Sequence, residues 1–460
     1  MAVANTTTTG GTNTTERLLS AATQLLSLLF TTACDQPIRL FFLFIFPLAL
    51  FGSISIYLLL HLLAPKPRPP HPSEKTYLTT TPDGSVSGPK PLPCWYDRWH
   101  AEGCLKEQYP TVPDGFDVPD QANIEPAEVE VSVVVPAYNE QDRIAVALEE
   151  MVEYLDANFG RGHGQDGRLL PTLERPRPVT GTPGSRPSTP HRLVFKSESS
   201  FSGAGEKVGE KVTEKTGRPS GYEIIIVNDG SKDRTAEVAL EFAKKHRLHD
   251  VLRVVTLEKN RGKGGSVTHG LRHVRGKYAV FADADGASRF SDLGRLIEGC
   301  EDVVDGSNRG VAIGSRAHLV GSEAVVKRSA IRNFLMRSFH FVLTILTPPA
   351  TSRIRDTQCG FKLFSRAALP HIVPYMHAEG WIFDIEMLML AESAPATPVL
   401  ASDGSVIGTS YGIKVAEVPV GWHEVEGSKM SLVKDSVRMA VGLAVLRASW
   451  MLGVYRRRLT

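Results

Sequence analysis

The stretch YAVFADADG, residues 278–286, decides the fold of this chain. It begins as a short run of β-branched and aromatic residues, which is typical of a buried strand, and it ends in polar, turn-forming residues. The same pattern occurs three times upstream, in VEVSVVVPAYNE (129–140), EIIIVNDGS (223–231) and VLRVVTLEKN (251–260). Residues 142–155 and 235–246 carry apolar side chains at helical spacing. Strands that alternate with helices predict an α/β fold with a mostly parallel, Rossmann-like sheet that helices cover on both faces.

Asp283 and Asp285 follow the fourth predicted strand directly. In an extended segment, residues two apart point to the same side, so both carboxylates can face one point while Ala284 points away. Hard cations such as Mg²⁺ and Mn²⁺ prefer such oxygen ligands, and diphosphate oxygens can complete their coordination. A DxD pair also arises by chance in surface turns, but ligands of parallel sheets bind beyond the carboxyl ends of the strands. The position of this pair therefore predicts Mg²⁺ or Mn²⁺ binding by Asp283 and Asp285.

The glycine-rich segment NRGKGG, residues 260–265, carries two cations and precedes a helix-like stretch. Backbone N–H groups and positive charge in such a turn can hold a phosphate. An ordinary strand-to-helix turn is the alternative interpretation. The segment lacks the GxxxxGK[ST] pattern of a P-loop, and no GxGxxG follows the first predicted strand. The lack of a P-loop argues against a kinase-like ATPase, and the lack of GxGxxG after the first predicted strand argues against a nicotinamide-dependent dehydrogenase.

Residues 40–64, LFFLFIFPLALFGSISIYLLLHLLA, contain no charged side chain. About 20 apolar residues are enough to cross the hydrocarbon core of a bilayer as a helix. A cleaved signal peptide fits less well because the run begins far into the chain, and a buried core helix would not be apolar on every side. Lys66, Arg68 and Lys75 follow the run, whereas charges of both signs precede it. The positive-inside rule then places the C-terminal portion in the cytosol.

The rest of the chain divides by composition. Residues 1–39 form a Thr-rich N-terminal segment, and residues 65–126 form a proline-rich linker with some local structure. The catalytic region spans residues 127–430, and residues 161–221 interrupt it with an insert rich in Gly, Pro, Ser and charge. That insert is predicted to be disordered because it cannot bury enough apolar surface to offset its ordering entropy. Residues 431–460 are predicted to form a helix associated with the membrane surface.

Charge and cysteine content restrict the function further. The net charge is +2, so no strongly basic field points to a nucleic-acid partner. The five cysteines show neither a disulfide pattern nor a zinc-ligand spacing. They favour a catalytic body in a reducing compartment.

Several segments, taken in order, resemble the motifs of a known family: SVVVPAYNE, IIIVNDGSKD, NRGKGG and FADADGASRFSD. They are similar to successive motifs of the family-2 inverting glycosyltransferases, which have the GT-A fold. Downstream segments resemble those of a eukaryotic family within this group, the dolichyl-phosphate β-glucosyltransferases: GSRAHL, VKRSAIRNFLMRSFH, RDTQCGFKLFSR, WIFDIEMLMLA and EVPVGWHEVEGSKM. The resemblance extends from about residue 129 to about residue 430, broken by the insert. It implies a GT-A catalytic domain with a single N-terminal transmembrane helix.

The resemblance also implies roles for individual residues. Donor binding would fall to Pro136, Tyr138, Glu140, Asp229 and Lys263, metal binding to Asp283 and Asp285, acceptor-phosphate binding to Arg316 and to Arg328 or Arg332, and catalysis to Asp384 and Asp356. A strong general base is not required, because a phosphate with a second pKa of about 6 is already largely ionised near pH 7. Trp381, Trp422 and His423 either line the sugar pocket or pack in the core.

The residues of the VKRSAIRNFLMRSFH segment support the acceptor assignment independently. Its cations stand beside apolar residues, as suits a membrane interface that holds an anionic lipid head group. The alternative interpretation is an ordinary amphipathic surface helix.

The expected reaction is the transfer of glucose, with inversion, from UDP-glucose to dolichyl phosphate. The products would be dolichyl β-D-glucosyl phosphate, a lipid-linked donor for protein N-glycosylation, and UDP. The expected location is the endoplasmic reticulum membrane, with one span and a cytosolic catalytic domain in contact with the lipid bilayer. The alternatives are a dolichyl-phosphate mannosyltransferase that uses GDP-mannose and a non-catalytic scaffold that binds nucleotide sugars. A processive polysaccharide synthase is disfavoured because no QxxRW motif occurs.

Overall fold

The structure is a computed structural model, and it describes residues 19–25, 27–28, 31, 41–108, 124–161, 219–319, 338, 341–400, 405–425 and 432–455. Arg328 and Arg332 lie outside these residues, as does the predicted insert except for its two ends. The chain divides into two compact units. The first comprises residues 1–65 and 441–457, and the second comprises residues 66–440 and 458–460.

The described elements are the following. The strands are β1 Thr76–Tyr77, β2 Lys90–Pro91, β3 Val129–Ala137, β4 Tyr222–Asn228, β5 Leu252–Thr256, β6 Gly276–Ala282, β7 Val311–Ser315, β8 Phe361–Ser365, β9 Thr397–Leu400, β10 Val406–Ser410 and β11 Val415–Pro419. The α-helices are α1 Phe46–Leu63, α2 Trp95–Gln108, α3 Ile144–Asn158, α4 Thr235–Lys245, α5 Gly262–Leu271, α6 Leu293–Val303, α7 Pro349–Ser352, α8 Leu369–Ile372, α9 Phe383–Glu392 and α10 Leu432–Met451.

The second unit is built on a seven-stranded sheet of order β11-β7-β8-β6-β3-β4-β5. β3, β4, β5 and β6 run parallel to one another, β11 runs parallel to β7, and β8 is antiparallel to both of its neighbours. Every residue of β4 is buried, as is typical of a central parallel strand covered on both faces. The predicted α/β fold with a mostly parallel sheet is confirmed.

The four predicted strands, residues 129–135, 223–227, 251–257 and 278–282, correspond to β3, β4, β5 and β6, each within two residues at either end. Their side chains form one core with those of α3 and α4. The members include Val133, Ile224, Val254 and Val280, none of which is more than 1% exposed. The carboxyl ends of these strands therefore lie along one edge of the sheet, which is where a ligand site is expected.

The second unit begins at Lys66, whereas the sequence pattern placed residues 65–126 in a linker. Leu78 exchanges backbone hydrogen bonds with Val254 of β5 at 2.8 and 2.9 Å. The indole N–H of Trp95 donates to the carbonyl of Leu271 at 2.8 Å. β1 and β2 are only two residues long, which is too short to produce a recognisable periodic pattern. The composition of residues 65–126 by itself therefore indicates a linker.

Both ends of the predicted insert join one side-chain network. Arg161 donates to Asp156 through Nη2 and Nε, at 2.5 and 2.8 Å. The hydroxyl of Tyr222 donates to the same carboxylate at 2.7 Å. Arg161 is the first residue of the insert and Tyr222 directly follows it, so the two ends of the insert lie next to each other.

The first unit contains α1, whose 18 residues have a mean hydropathy of 1.9 and are 6% buried. Within the described ranges it is the one helix that is long and apolar enough to cross a membrane. It corresponds to the predicted apolar helix over 40–64. The hydroxyl of Tyr455 donates to the carbonyl of Pro65 at 2.6 Å, so the end of the chain is tied to the end of α1.

Candidate active site

The loops that follow β3 and β4 are bonded to each other. The backbone N–H of Asp229 donates to the carbonyl of Ala137 at 2.8 Å. Asn139 donates its N–H to the hydroxyl of Ser231 at 2.9 Å and accepts from the N–H of Lys232 at 2.8 Å. Asn139 has a φ of 52°, a left-handed conformation that asparagine adopts more readily than most residues. These bonds bring the predicted donor-binding loops together at one edge of the sheet.

Three predicted donor-binding residues lie on the β3 loop. Pro136 and Tyr138 are half-buried at the carboxyl end of β3. Glu140 accepts from Arg143 Nε at 2.7 Å, and its N–H donates to the hydroxyl of Thr235 at 2.8 Å. The loop is thus held by its own contacts while part of Tyr138 stays accessible to a ligand.

Asp229 caps the glycine-rich turn. Its carboxylate accepts from the N–H of Arg261 at 2.6 Å and from the N–H of Gly262 at 2.9 Å, at the start of α5. Burial raises the pKa of Asp229 to about 6, although these two N–H groups act in the opposite direction. Asp229 is only 3% exposed. In this structure Asp229 holds the glycine-rich turn, and its contact with the donor remains a prediction.

The glycines of the turn allow a close approach to the segment that precedes α9. Gly262 has a φ of 78°, and a Cβ on it would lie 2.7 Å from the carbonyl oxygen of Glu379. A Cβ on Gly264 would lie 2.6 Å from the carbonyl oxygen of Ala378. Between them stands Lys263, whose ammonium group is 2.6 Å from Asp283 Oδ1. Glycine is therefore required here for backbone packing, and the packing directs Lys263 at the DxD pair.

The DxD pair lies at the end of β6. Burial alone would lower the pKa of Lys263, but Asp283 and the nearby Asp384 raise it above its ordinary value. Asp285 accepts from the N–H of Ala287 at 3.0 Å, and Ala284 is buried, as the alternation predicted. Both aspartates keep part of their surface exposed.

Two observations at the pair concern the predicted binding of a divalent cation. A Cβ on Gly360 would collide with the carboxylate of Asp283, so the glycine leaves room that Asp283 occupies. Two carboxylates do not complete a coordination shell, and the described residues contain no group of three or more His, Cys, Asp or Glu placed to bind a metal. A metal held by Asp283 and Asp285 would take its remaining ligands from a substrate and from water.

Arg316 and Asp356 form an ion pair beside this site. Arg316 donates from Nε at 2.7 Å, from Nη2 at 2.9 Å and from its backbone N–H at 2.9 Å. Burial by itself would raise the pKa of Asp356, but Arg316 holds it below its ordinary value. Glu417 of β11 accepts from the N–H of Asp356 at 3.0 Å and fixes that loop. The guanidinium of Arg316 lies 5.8 Å from the ring centroid of Trp422.

Asp384, at the start of α9, forms an ion pair with Lys362 of β8. The Lys362 ammonium contacts Asp384 Oδ1 and donates to the carbonyl of Cys359 at 2.6 Å. The side chains of Lys362 and Asp384 are 0% and 4% exposed. Burial raises the pKa of Asp384, while Lys362 acts to lower it. The carboxylate therefore faces an internal cation, and its predicted catalytic role remains a prediction.

The segment after β11 lies beside the DxD loop. His423 donates its N–H to the carbonyl of Ala287 at 3.0 Å, and Trp422 pairs with Ser288. Trp422 and Trp381 are half-buried, and His423 is exposed. This arrangement favours the lining of a pocket by Trp422 over a place in the core.

Sequence patterns missed three side chains of the site: Lys362, Glu417 and Glu379. Lys362 carried a usable signal, because a charged residue inside the apolar run FKLFS needs a buried partner. Glu417 and Glu379 carried no such signal, since their partners are distant in sequence.

The amino-acid sequence of the chain is similar to those of glycosyltransferases. A family model described as glycosyl transferase family 2 matches residues 209–370. The dolichyl-phosphate β-glucosyltransferase of Saccharomyces cerevisiae is 34% identical over 411 residues, which cover 88% of this chain and 92% of that protein. The proteins of the same name from Dictyostelium discoideum and Homo sapiens are 31% and 32% identical. Those alignments cover 79% and 76% of this chain, and 87% and 82% of the relatives.

Among solved structures, a similar chain is glucosyl-3-phosphoglycerate synthase from Mycobacterium tuberculosis, in complex with Mn²⁺, UDP-glucose and phosphoglyceric acid. The identity is 15% and the TM-score is 0.38, over 70% of this chain and 80% of that chain.

Proposed function

The chain belongs to the dolichyl-phosphate β-glucosyltransferases, and from that membership we propose that it transfers glucose from UDP-glucose to dolichyl phosphate with inversion. The products are dolichyl β-D-glucosyl phosphate and UDP. The observation that carries the proposal is the identity of 34% to the Saccharomyces cerevisiae dolichyl-phosphate β-glucosyltransferase over 88% of the chain. The lipid product serves as a glucose donor for protein N-glycosylation.

The donor binds at the carboxyl ends of β3, β4 and β6. The loops after β3 and β4 hold the nucleoside, with Pro136 and Tyr138 beside the uridine. Lys263 offers its ammonium to the diphosphate, from a position fixed by the close packing of Gly262 and Gly264. Asp229 maintains the turn through the N–H groups of Arg261 and Gly262.

Asp283 and Asp285 hold the divalent cation, Mg²⁺ or Mn²⁺. When bound, the cation offsets the charge that develops on the departing UDP. Lys263 adds a second positive charge on the same side and contacts Asp283 at 2.6 Å. The ion pair keeps that carboxylate oriented toward the donor site.

The acceptor phosphate binds at Arg316, together with Arg328 or Arg332. The carboxylate of Asp356 accepts hydrogen bonds from Nε and Nη2 of Arg316. Within the described residues, Nη1 of Arg316 has no hydrogen-bond partner. A guanidinium oriented by one carboxylate presents its remaining N–H groups in a fixed direction, which suits an incoming phosphate oxygen. The phosphate is already largely ionised near pH 7, so positioning and charge stabilisation supply most of the catalysis.

Asp384 acts on the reaction through electrostatics. It lies close enough to Lys263 and Asp283 that these charges affect its pKa. Paired with Lys362, it contributes a fixed dipole behind the DxD pair and need not accept a proton. We place the enzyme in the endoplasmic reticulum membrane, anchored by α1, with its catalytic unit in the cytosol and in contact with the bilayer.

The test is a transfer assay on membranes that contain the full chain. Labelled UDP-glucose and labelled GDP-mannose are each supplied with and without dolichyl phosphate. We expect lipid-bound label from UDP-glucose only, and only when dolichyl phosphate is present. Transfer from GDP-mannose would establish the mannosyltransferase alternative, and nucleotide binding without transfer would establish the scaffold alternative. The Asp283→Asn variant is the control for transfer by other membrane proteins.

A further inference from the structure

The segment that connects α1 to β1, residues 66–75, lies against the glycine-rich turn. Arg68 donates from Nη2 to the carbonyl of Asn260 at 2.9 Å and to Glu379 Oε2 at 3.3 Å. Arg261, the next residue of the turn, donates from Nη2 to the carbonyl of Arg68 at 2.5 Å. The connecting segment and the turn are thus bonded to each other in both directions.

Glu379 joins these two partners to a third element. Its carboxylate accepts from Arg261 Nη2 at 2.6 Å and from Arg261 Nε at 2.9 Å, as well as from Arg68. Its backbone carbonyl accepts from the N–H of Gly265 at 3.2 Å. Glu379, which lies four residues before the start of α9, therefore links the connecting segment to both ends of the turn.

A second attachment lies at the other end of the connecting segment. Glu74 accepts from the N–H of Glu258 at 3.1 Å, just before the turn. The carbonyl of Glu74 accepts from His269 Nε2 in α5 at 2.9 Å. The segment is therefore fixed on both sides of the turn that it crosses.

Hydrogen bonds attach the connecting segment to the turn. Pro67, His269, Arg272 and Glu379 line a small cavity beside these bonds. In that cavity the buried Nδ1 of His269 and Nε of Arg272 make no hydrogen bond to the described residues. Removing the charge-assisted hydrogen bonds of Arg68 therefore weakens the attachment of the segment to the turn.

We propose that Arg68 is a positioning residue for the nucleotide-sugar donor. Through Asn260 and Glu379 it holds the turn, and with it Lys263, in the arrangement that meets the diphosphate. The connecting segment is then a part of the donor site, although composition marks it as a linker. This inference rests on the proposed function in one respect, that the turn holds the donor diphosphate.

The test compares three variants of the full chain: Arg68→Ala, Arg68→Lys and the control Lys66→Ala. Lys66 is exposed, belongs to the same segment and makes no hydrogen bond or ion pair with the described residues, so its variant removes the same charge without the contacts. We expect Arg68→Ala to raise the KM for UDP-glucose and the Kd for UDP about three- to tenfold, since charge-assisted bonds at a half-exposed site are of modest strength. The KM for dolichyl phosphate and the Tm should match those of the parent. Arg68→Lys should fall between, because an ammonium cannot reach both partners in the geometry of a guanidinium.

Equal UDP affinity in Arg68→Ala and Lys66→Ala would overturn the proposal. So would a rise in the KM values of both substrates together with a fall in Tm, because that pattern indicates a general loss of stability. If Arg68→Ala does not fold, Arg68→Lys supplies the same comparison. UDP binding can be measured without turnover, so a parent chain that fails to transfer glucose would refute the proposed function and still leave this inference testable.

Discussion

The buried ion pair between Lys362 and Asp384 gives a prediction that separates stability from catalysis. Replacing Lys362 by Met keeps much of the side-chain length and removes the ammonium that faces Asp384. The two side chains are 0% and 4% exposed, so no water replaces the lost partner. The carboxylate is left inside the protein without its direct partner, while Lys263, the other nearby cation, contacts Asp283. Asp384 must then remain ionised at high cost or take up a proton.

The expected loss follows from the burial of the pair. Removing one partner of a buried pair typically costs about 3–5 kcal/mol of the free energy of unfolding. That is a large part of the roughly 5–15 kcal/mol that stabilises a typical protein. For a unit of this size it corresponds to a fall in Tm of roughly 6–20 °C. Lys277→Met is the matched control: Lys277 lies on the adjacent strand β6, is 48% exposed and pairs with Glu130 at 3.0 Å. An exposed pair of that kind contributes at most about 1 kcal/mol.

The assay is thermal unfolding of the purified full chain in detergent, followed by tryptophan fluorescence. The double variant Lys362→Met with Asp384→Asn should recover more than half of the loss in Tm, because neither charge remains. If Lys362→Met unfolds no earlier than Lys277→Met, the pair does not have the stabilising role that its burial indicates.

The double variant also tests the role of Asp384 in the reaction. If the carboxylate contributes charge to the site, the double variant folds and transfers glucose much more slowly than the parent. A folded double variant with the parent kcat would remove Asp384 from the catalytic residues and leave it a structural one.

Four further predictions concern the donor site, the insert and the acceptor site. Asp285→Asn should nearly abolish turnover and leave Tm unchanged; metal-dependent activity near the parent level would contradict the metal assignment. Deleting residues 164–219 should preserve transfer, since the two ends of the insert lie next to each other at Asp156, and a folded but inactive deletion variant would assign the insert a catalytic role. Arg328→Ala and Arg332→Ala should lower kcat/KM for dolichyl phosphate about ten- to a hundredfold without changing UDP affinity, and unchanged acceptor kinetics in both would exclude them as phosphate ligands. Because burial raises the pKa of Asp229 from 3.8 to about 6, its ionisation costs stability as pH rises through that window. In urea unfolding, the free energy of unfolding of Asp229→Asn should therefore increase relative to that of the parent between about pH 4 and pH 6, and the difference should stay constant above about pH 6. A difference in the free energy of unfolding that does not vary with pH would contradict the raised pKa.

Patterns of local sequence were enough to predict the parallel half of the sheet. The runs that became β3, β4, β5 and β6 are mostly apolar, and burial on both faces favours that composition. β7 and β11, each of five residues, were not predicted from the sequence, although the helix α6 directly precedes β7. β8 runs antiparallel to its neighbours, an arrangement that strand composition alone does not encode.

The candidate site was predictable where its chemistry lies in one short motif. Asp283 and Asp285 are two residues apart, and strand geometry alone brings their carboxylates together. The partners of these residues come from far along the chain, as when Lys362 meets Asp384 or Arg68 meets Glu379. Such pairs depend on which strands become neighbours, and strand order is a property of the whole fold. Local sequence therefore did not indicate that Asp384 pairs with Lys362 inside the protein, and the catalytic role of Asp384 stays a prediction.

Gly360 has a genetic consequence. Its missing side chain is the space that the Asp283 carboxylate occupies. Every missense change of a glycine codon adds at least a Cβ, so position 360 has no conservative replacement. In a collection of random alleles, missense changes at this codon should abolish function. Missense changes at Gly380, where an added Cβ would meet no atom within 4 Å, should leave function intact. A glycine far from the DxD pair in sequence would then rank with the aspartates in any catalogue of inherited loss of function.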